Sequence, residues 1–285
     1  MSKIVVLGAG GMAGHMIALF LREQGHEVIA VSAHHMLDSS TVRLDVTDTP
    51  TFHNFLDNTP CDIIINCIAL LVKPSEERKD QAVYLNAFLP HFLEHYYAHS
   101  PTKIIHIGSD GVFSGRRPEN KEDDFCDGES FYGRSKALGD IKNSKDLTLR
   151  LSIIGPDMRK PGQGLLHWFL QQQGTVHGYS NIFWNGITTL ELAKAIDQAI
   201  AQGITGIYHL APEESISKYD LLQLFQEVFQ VPHLQITPSE GTGINSRLIN
   251  TRSDFNYKVP GYKQMIVELK DWMEEHKEIY KHYGI

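Results

Sequence analysis

The opening of the chain constrains it most. Ile4-Val5-Val6-Leu7 is a short, wholly apolar run of the kind that is buried on both faces of a parallel sheet. Gly8-Ala9-Gly10-Gly11-Met12-Ala13-Gly14 follows at once. A helix-period segment then runs to about Gln24, Gly25 stops it, and a second strand is expected over residues 27–32. Glycines at 8, 11 and 14 let the backbone turn tightly, approach a pyrophosphate closely and pack the helix on the sheet, while the helix N-terminus offers amides and positive dipole to phosphates. A glycine-rich turn alone is weak evidence, but this one has a strand before it and a helix and strand after it, which points to dinucleotide binding.

The end of the second strand reports on the adenosine ribose, because a carboxylate there takes the 2′-hydroxyl of NAD and basic groups accommodate the 2′-phosphate of NADP. Val31-Ser32-Ala33-His34-His35 carries no carboxylate before Asp38, so NADP(H) is the expected cofactor and NAD(H) the alternative. Leu44-Asp45-Val46-Thr47-Asp48 reads as a strand end running into an N-cap at Thr47 or Asp48. Residues 62–66 form the next buried strand, with Cys67-Ile68-Ala69 leaving the carboxyl end where ligands of open parallel sheets lie. Helical spacing covers residues 75–99, with a kink or break expected at Pro90. A fourth strand over 103–108 delivers Ser109-Asp110-Gly111, and a further strand is expected over 147–154. Alternation weakens after Gly155, so the expected organisation is a dinucleotide-binding domain over 1–155 and mainly a smaller lobe over 156–285, some of whose segments can return to the sheet.

Between those strands lies Ser130-Phe-Tyr132-Gly-Arg-Ser-Lys136-Ala137. Tyr132 and Lys136 stand four apart, which on a helix stacks them on one face. An ammonium beside the phenol would favour the phenolate and lower the phenol's pKa, making it a usable proton donor and acceptor. Composition narrows the alternatives. A formal charge of −8 with no basic stripe argues against a nucleic-acid partner. No stretch approaches eighteen apolar residues and no leader precedes the first strand, so no membrane partner is expected. Three cysteines without a Cys-x-x-Cys suggest neither a disulfide framework nor a metal site, and fit a reducing cytoplasm.

Together these residues resemble the extended short-chain dehydrogenase/reductase family: Gly8-x-x-Gly11-x-x-Gly14, Asp45-Val46, Ser109 after the fourth strand and Tyr132-x-x-x-Lys136 occur in its order and spacing. Within it the chain looks most like the dTDP-4-dehydrorhamnose reductase group of nucleotide-sugar 4-keto reductases, through Ser109-Asp110-x-Val112-Phe113-x-Gly115, Arg150-x-Ser152, residues 188–196 and Ser246-x-Leu248-x-x-Thr251. The resemblance implies an α/β doubly wound parallel sheet (Rossmann) with a smaller C-terminal substrate-binding lobe. It implies a nicotinamide cofactor held by Gly8, Gly11, Met12, Gly14, Ser32, His34, Asp45, Val46, Cys67, Ile68, Ala69, Tyr132 and Lys136. The catalytic residues would be Tyr132 as proton donor, Lys136 holding the nicotinamide ribose, and Ser109 hydrogen-bonding the carbonyl oxygen. The nucleotide-sugar substrate would meet Lys73, Ser109, Asp110, Gly111, Ile153 and Trp184, and a homodimer is compatible with the group.

Two departures stand out. Gly111 occupies the position of a tyrosine near the sugar in rhamnose reductases, and Lys73 that of an aspartate. Both substitutions, with the run Asn185 to Lys194, resemble reductases for UDP-2-acetamido-2,6-dideoxy-hexuloses of surface-polysaccharide pathways. Two other readings share the fold. A dinucleotide-binding regulatory subunit, like the β subunit of methionine adenosyltransferase, is disfavoured by the intact Ser109, Tyr132 and Lys136. A 4,6-dehydratase is disfavoured because Asp110-Gly111 lacks the Asp-Glu pair that such enzymes carry.

Overall fold

The computed structural model describes residues 1–241 and 247–284. Seven strands, β1 (Lys3–Leu7), β2 (Glu27–Ser32), β3 (Val42–Arg43), β4 (Ile63–Asn66), β5 (Lys103–Ile107), β6 (Leu147–Arg150) and β7 (Gly206–His209), form one sheet in the order 7-6-5-4-1-2-3. Every pairing in it is parallel. The order reverses between β1 and β4, with Leu7 opposite Asn66, which opens a crevice outside the carboxyl ends of those two strands.

The apolar runs explain the layering. Successive side chains on a strand point to opposite faces, so a strand covered on both sides must be apolar throughout. Ile4 and Val6 of β1, Ile63 and Ile65 of β4 and Ile105 of β5 pack with α1 (Met12–Glu23) and α5 (Thr189–Ala201). Val5, Leu7, Ile64 and Ile104 point the other way, onto Phe52 and Leu56 of α2 (Thr49–Asn58) and Leu89 and Leu93 of α3 (Leu89–Tyr96). Each such buried side chain stabilises the fold by about 1.5–3 kcal/mol. Asp48 caps α2, its carboxylate accepting from Thr51 N at 3.4 Å and from Thr51 Oγ1 at 2.6 Å. Ser130 caps α4 (Phe131–Leu138), its hydroxyl accepting from Gly133 N at 3.0 Å.

After β6 the chain builds a smaller lobe from α6 (Lys218–Val228), α7 (Tyr262–Glu275) and short strand pairs, such as Thr175–Tyr179 with Gln235–Ser239. Phe169, Phe225 and Met265 of this lobe share one continuous core with α1 and the sheet. One segment after residue 155 returns to the sheet, because β7 pairs with β6 from Gly206 opposite Leu147 to His209 opposite Arg150.

Two expectations need correction. The segment 75–99 is interrupted at Arg78, whose backbone leaves the helical region (φ −130°, ψ 71°), and Pro90 does not break it. A π-helical turn over Val83–Phe88 runs without a break into α3, and this widened turn just ahead of Pro90 takes up the N–H that proline lacks. The strand over 147–154 is two pieces: β6 ends at Arg150, and Ile153–Ile154 leaves the sheet to pair with Ile187–Thr188. Ser246, one of the positions carrying the family resemblance, lies outside the described residues. Among the described residues no helix is long and apolar enough to cross a membrane.

Candidate active site

The glycine turn is shaped by contacts that no side chain could share. Gly8 has φ +82°, which favours glycine. A Cβ on Gly14 would stand 2.2 Å from Gly8 O, so this glycine sets how closely α1 packs on the turn. Gly11 is the N-cap of α1 and offers no side chain to its first-turn amides, which are left for an anion. Gly10, absent from the expected contact set, is equally confined: a Cβ there would meet His35 O at 2.2 Å and Ser32 Oγ at 2.6 Å.

Two contiguous cavities open from this turn. The first, about 510 Å³, is walled by Gly8, Gly11, Ser32, His34, Asp45, Val46, Cys67, Ile68 and Ala69, all expected there, together with Gly10, His35, Arg78 and Arg159. Asp45 accepts from Thr47 N (2.9 Å) and Thr47 Oγ1 (2.7 Å), and these bonds hold its carboxyl below the usual range. Asp38 stays out of the wall. It is tied to Arg22 at 2.5 Å and to Ser40, and despite partial burial these bonds pull its carboxyl down to about 2.

The second cavity, about 580 Å³, shares Gly11, Cys67, Ala69 and Arg159 with the first and adds Met12, Ser109, Asp110, Gly111, Tyr132, Lys136 and Ile153. The four-residue spacing does put Tyr132 and Lys136 on one face of α4, in one cavity wall with Ser109 at the carboxyl end of β5, whose hydroxyl donates to Asp110 Oδ1 at 3.4 Å and accepts from Gly111 N at 3.0 Å. Gly111 sits against both: a Cβ there would stand 3.1 Å from Tyr132 Cε1 and 3.2 Å from Ser109 Oγ.

The electrostatics differ from the sequence expectation. Burial raises the Tyr132 phenol; the Ser109 hydroxyl lowers it and the nearby Asp110 raises it, while Lys136 is not among the groups that act on it. Lys136 points instead into the sheet, where its Nζ meets Ile107 O at 2.7 Å and His106 Nε2 at 3.1 Å. It is 1% exposed, and burial pushes its pKa down to about 8, against the opposing pull of Asp140 and Cys67. Burial likewise raises Asp110, offset by hydrogen bonds from Ser152 and Ser109 and by Lys218, and pushes the Cys67 thiol up to about 12.

Two expected substrate residues are not in the wall. Trp184 is 8% exposed and stands behind it, donating from Nε1 to Ser152 Oγ at 2.8 Å, with the Lys218 ammonium 4.9 Å from its ring centre. Ser152, in turn, lines the cavity, and its hydroxyl lowers the Asp110 pKa. Lys73 is exposed on the short helix Val72–Glu77, while its neighbours Leu71 and Val72 form the cavity's edge.

The sequence reading missed three positioned groups. Arg159 forks onto Asp157 (Nε to Oδ1 2.8 Å, Nη2 to Oδ2 2.5 Å) and so holds a cation at the junction of the two cavities. Tyr283, near the C-terminus, supports that loop by accepting from Asp157 N at 2.9 Å. Buried Asn86 joins three elements: it accepts from Leu70 N (2.7 Å), and its amide donates to Leu70 O (3.0 Å) and to Ser135 Oγ on α4 (3.0 Å). The nearest sequence signal was Asp157-x-Arg159 directly after Gly155-Pro156.

Comparison with known proteins agrees with this geometry. The family model described as RmlD substrate binding domain matches residues 2–284. The spore coat polysaccharide biosynthesis protein SpsK of Bacillus subtilis is 32% identical over 238 residues, covering 80% of this chain and 79% of that protein. The dTDP-4-dehydrorhamnose reductase of Aggregatibacter actinomycetemcomitans is 30% identical over 252 residues, covering 84% and 83%. Among solved structures, dTDP-4-dehydrorhamnose reductase from Bacillus anthracis in complex with NADP superposes with a TM-score of 0.80 over 95% of this chain and 99% of that one, at 16% identity, which attests the fold. A sheet of this order, a confined glycine turn and a family match that runs nearly end to end lead to one conclusion: the chain belongs to the RmlD substrate binding domain family.

Proposed function

We propose that the protein is a nucleotide-sugar 4-keto reductase that uses NADPH to reduce the C4 carbonyl of a nucleotide-linked 6-deoxy-4-keto sugar in surface-polysaccharide synthesis. The observation that carries this reading is the convergence of Ser109, Tyr132 and Lys136 on one cavity continuous with the glycine-turn cavity. The first cavity takes the adenosine and pyrophosphate, with the amides of α1 and the Arg159 guanidinium facing the phosphates. The second takes the nicotinamide ribose and the sugar. Bound there, the nicotinamide supplies the hydride.

The residues of the chain supply the rest. Because burial raises the Tyr132 phenol, it holds its proton at neutral pH, the form needed to donate to a carbonyl oxygen that is becoming an alkoxide. Ser109, in the same cavity wall as the phenol, turns its hydroxyl to that oxygen as charge develops on it. Lys136 holds the nicotinamide ribose. Gly111, with no side chain beside the phenol, leaves room for a bulky substituent at C2 of the sugar, which favours a UDP-2-acetamido-2,6-dideoxy-4-hexulose over dTDP-4-dehydrorhamnose. The lobe formed by residues 156–285, apart from α5 and β7, holds the nucleotide of the substrate. A reducing cytoplasm suits the three free thiols.

NADPH is preferred because the cavity wall beside Ser32 carries His34 and His35, while the nearest downstream carboxylate, Asp38, is committed to Arg22. The test combines both questions: the protein is mixed with NADPH or NADH and a panel of 2-acetamido and 2-hydroxy 4-keto nucleotide sugars, and loss of reduced-nicotinamide absorbance is followed. Turnover is expected with the 2-acetamido substrates, and tenfold tighter binding of NADPH corresponds to about 1.4 kcal/mol. Binding of NADPH without reduction of any 4-keto sugar would instead favour the regulatory-subunit reading.

A further inference from the structure

The polar groups beneath Lys136 form a chain whose direction is set by one backbone donor. Ile68 N donates to Asn66 Oδ1 at 3.1 Å, so the Asn66 amide must turn its NH2 to the next partner, His106 Nδ1, at 3.3 Å. Nδ1 therefore accepts. His106 lies fully buried on β5, where burial holds its pKa well below the usual value, and an imidazole whose Nδ1 accepts is neutral. A neutral imidazole whose Nδ1 accepts carries its proton on Nε2. That N–H faces Lys136 Nζ at 3.1 Å, and Nζ donates in turn to Ile107 O at 2.7 Å.

Every link in this chain is satisfied when Lys136 is an amine, whose lone pair can accept from Nε2. As an ammonium it has only donors, and somewhere between Ile68 and Ile107 two donors must then face each other in the interior, where an unmade bond is costly. The other groups acting on Lys136 are Asp140 and Cys67, with Tyr132 one turn earlier on α4; His91 acts on His106. Asp140 favours the ammonium; Arg150 engages its Oδ2 at 2.8 Å, and its buried Oδ1 has no hydrogen-bond partner among the described residues. Cys67 is a neutral thiol at physiological pH.

We propose that His106 is a positioning residue that donates from Nε2 to Lys136 and biases it towards the neutral amine in the free protein, so that binding of a dinucleotide, whose ribose is gripped by the ammonium, takes up a proton. The first half of this stands on the hydrogen-bond directions alone. The second half rests on the dinucleotide-binding reading given above.

The imidazole tautomer is read directly from long-range ¹⁵N–¹H NMR of the free protein, with the His106 signals assigned by through-bond connectivity to its own backbone. A proton on Nε2 is expected, and a proton on Nδ1 overturns the proposal without need of any functional assay. Titration of ¹³C-labelled lysine side chains, with Lys136 assigned by its loss in Lys136→Met, should place its midpoint at least two units below the ordinary value of about 10.4. In His106→Leu that midpoint should rise by about one unit, a tenfold change in the ionisation constant. A wild-type midpoint near 10, or one unmoved by the substitution, overturns the proposal, and the wild-type tautomer still decides it if the variant fails to fold. Calorimetry of NADPH binding in buffers of different ionisation enthalpy then reads the coupling. Proton uptake near pH 8 is expected, and binding without it overturns the second half. Failure of NADPH to bind at all would count against the dinucleotide reading, leaving the tautomer and titration to judge His106.

Discussion

Tyr132, Ser109 and Lys136 differ in what each removal should cost. Tyr132→Phe keeps the ring and deletes the acid, so the fold and NADPH affinity should persist while kcat falls about 10²- to 10⁴-fold. That corresponds to about 3 to 5.5 kcal/mol of transition-state stabilisation. Ser109→Ala should be milder, and Lys136→Met should weaken NADPH binding and turnover together; steady-state kinetics with a fluorescence titration of NADPH separates the three. Normal turnover by Tyr132→Phe would remove the phenol from the chemistry. Arg159→Gln keeps the bulk but loses the cation at the cavity junction, so NADPH should bind about tenfold more weakly, about 1.4 kcal/mol, with kcat less affected. Unchanged affinity would show that the Asp157 fork is structural only. Arg159 was not legible beforehand, since its position depends on a loop folding back over the turn at residues 8–14 and being held there by Tyr283.

At the scale of elements, α4 is the part whose local stability matters most, because eight residues carry both Tyr132 and Lys136. Its cap is Ser130, and Ser130→Ala should cost about 1 kcal/mol in chemical denaturation, with a further loss in kcat as the first turn frays. Ser130→Asp should restore most of both, since its carboxylate can accept from Gly133 N as the hydroxyl does. Equal loss in Ala and Asp variants would mean that the serine acts otherwise than as a cap. The four-residue spacing, the glycine turn and the cap at Asp48 could be read in advance because each depends on residues within about one helical turn of each other. The course of residues 75–99 could not. Pro90 looked like a break, yet a π-helical turn ahead of it absorbs the missing donor, and buried Asn86 within that turn ties it to α4 and to the loop after β4.

For the whole molecule, buried histidines set the acid limit. Burial drives His209 of β7 down to about 4, while Glu122 pulls it up and Arg150 pushes it down. Between its ordinary value near 6.5 and about 4 the unfolded chain binds this proton and the folded one does not, so stability rises with pH across that window. The contribution is fully present above pH 6.5 and is lost as pH falls towards 4, at about 1.4 kcal/mol per pH unit. Thermal midpoints measured from pH 7 to 4 should therefore fall less steeply in His209→Gln than in wild type. Parallel curves would show that His209 does not control the acid limb.

By itself the sequence determined the two-sided apolar strands, the glycine turn between the first strand and helix, and the placing of Tyr132 and Lys136 on one helical face. These follow from side-chain periodicity, backbone sterics and hydrogen bonds between near neighbours. Only the tertiary structure decided which groups surround them. It returned β7 to the sheet, set Trp184 behind Ser152, brought Arg159 to the cavity junction and turned Lys136 towards His106. It also reversed the expected direction of the Tyr132 shift, because the cost of removing a phenolate from water depends on how deeply distant segments bury it, and no spacing along the chain contains that information.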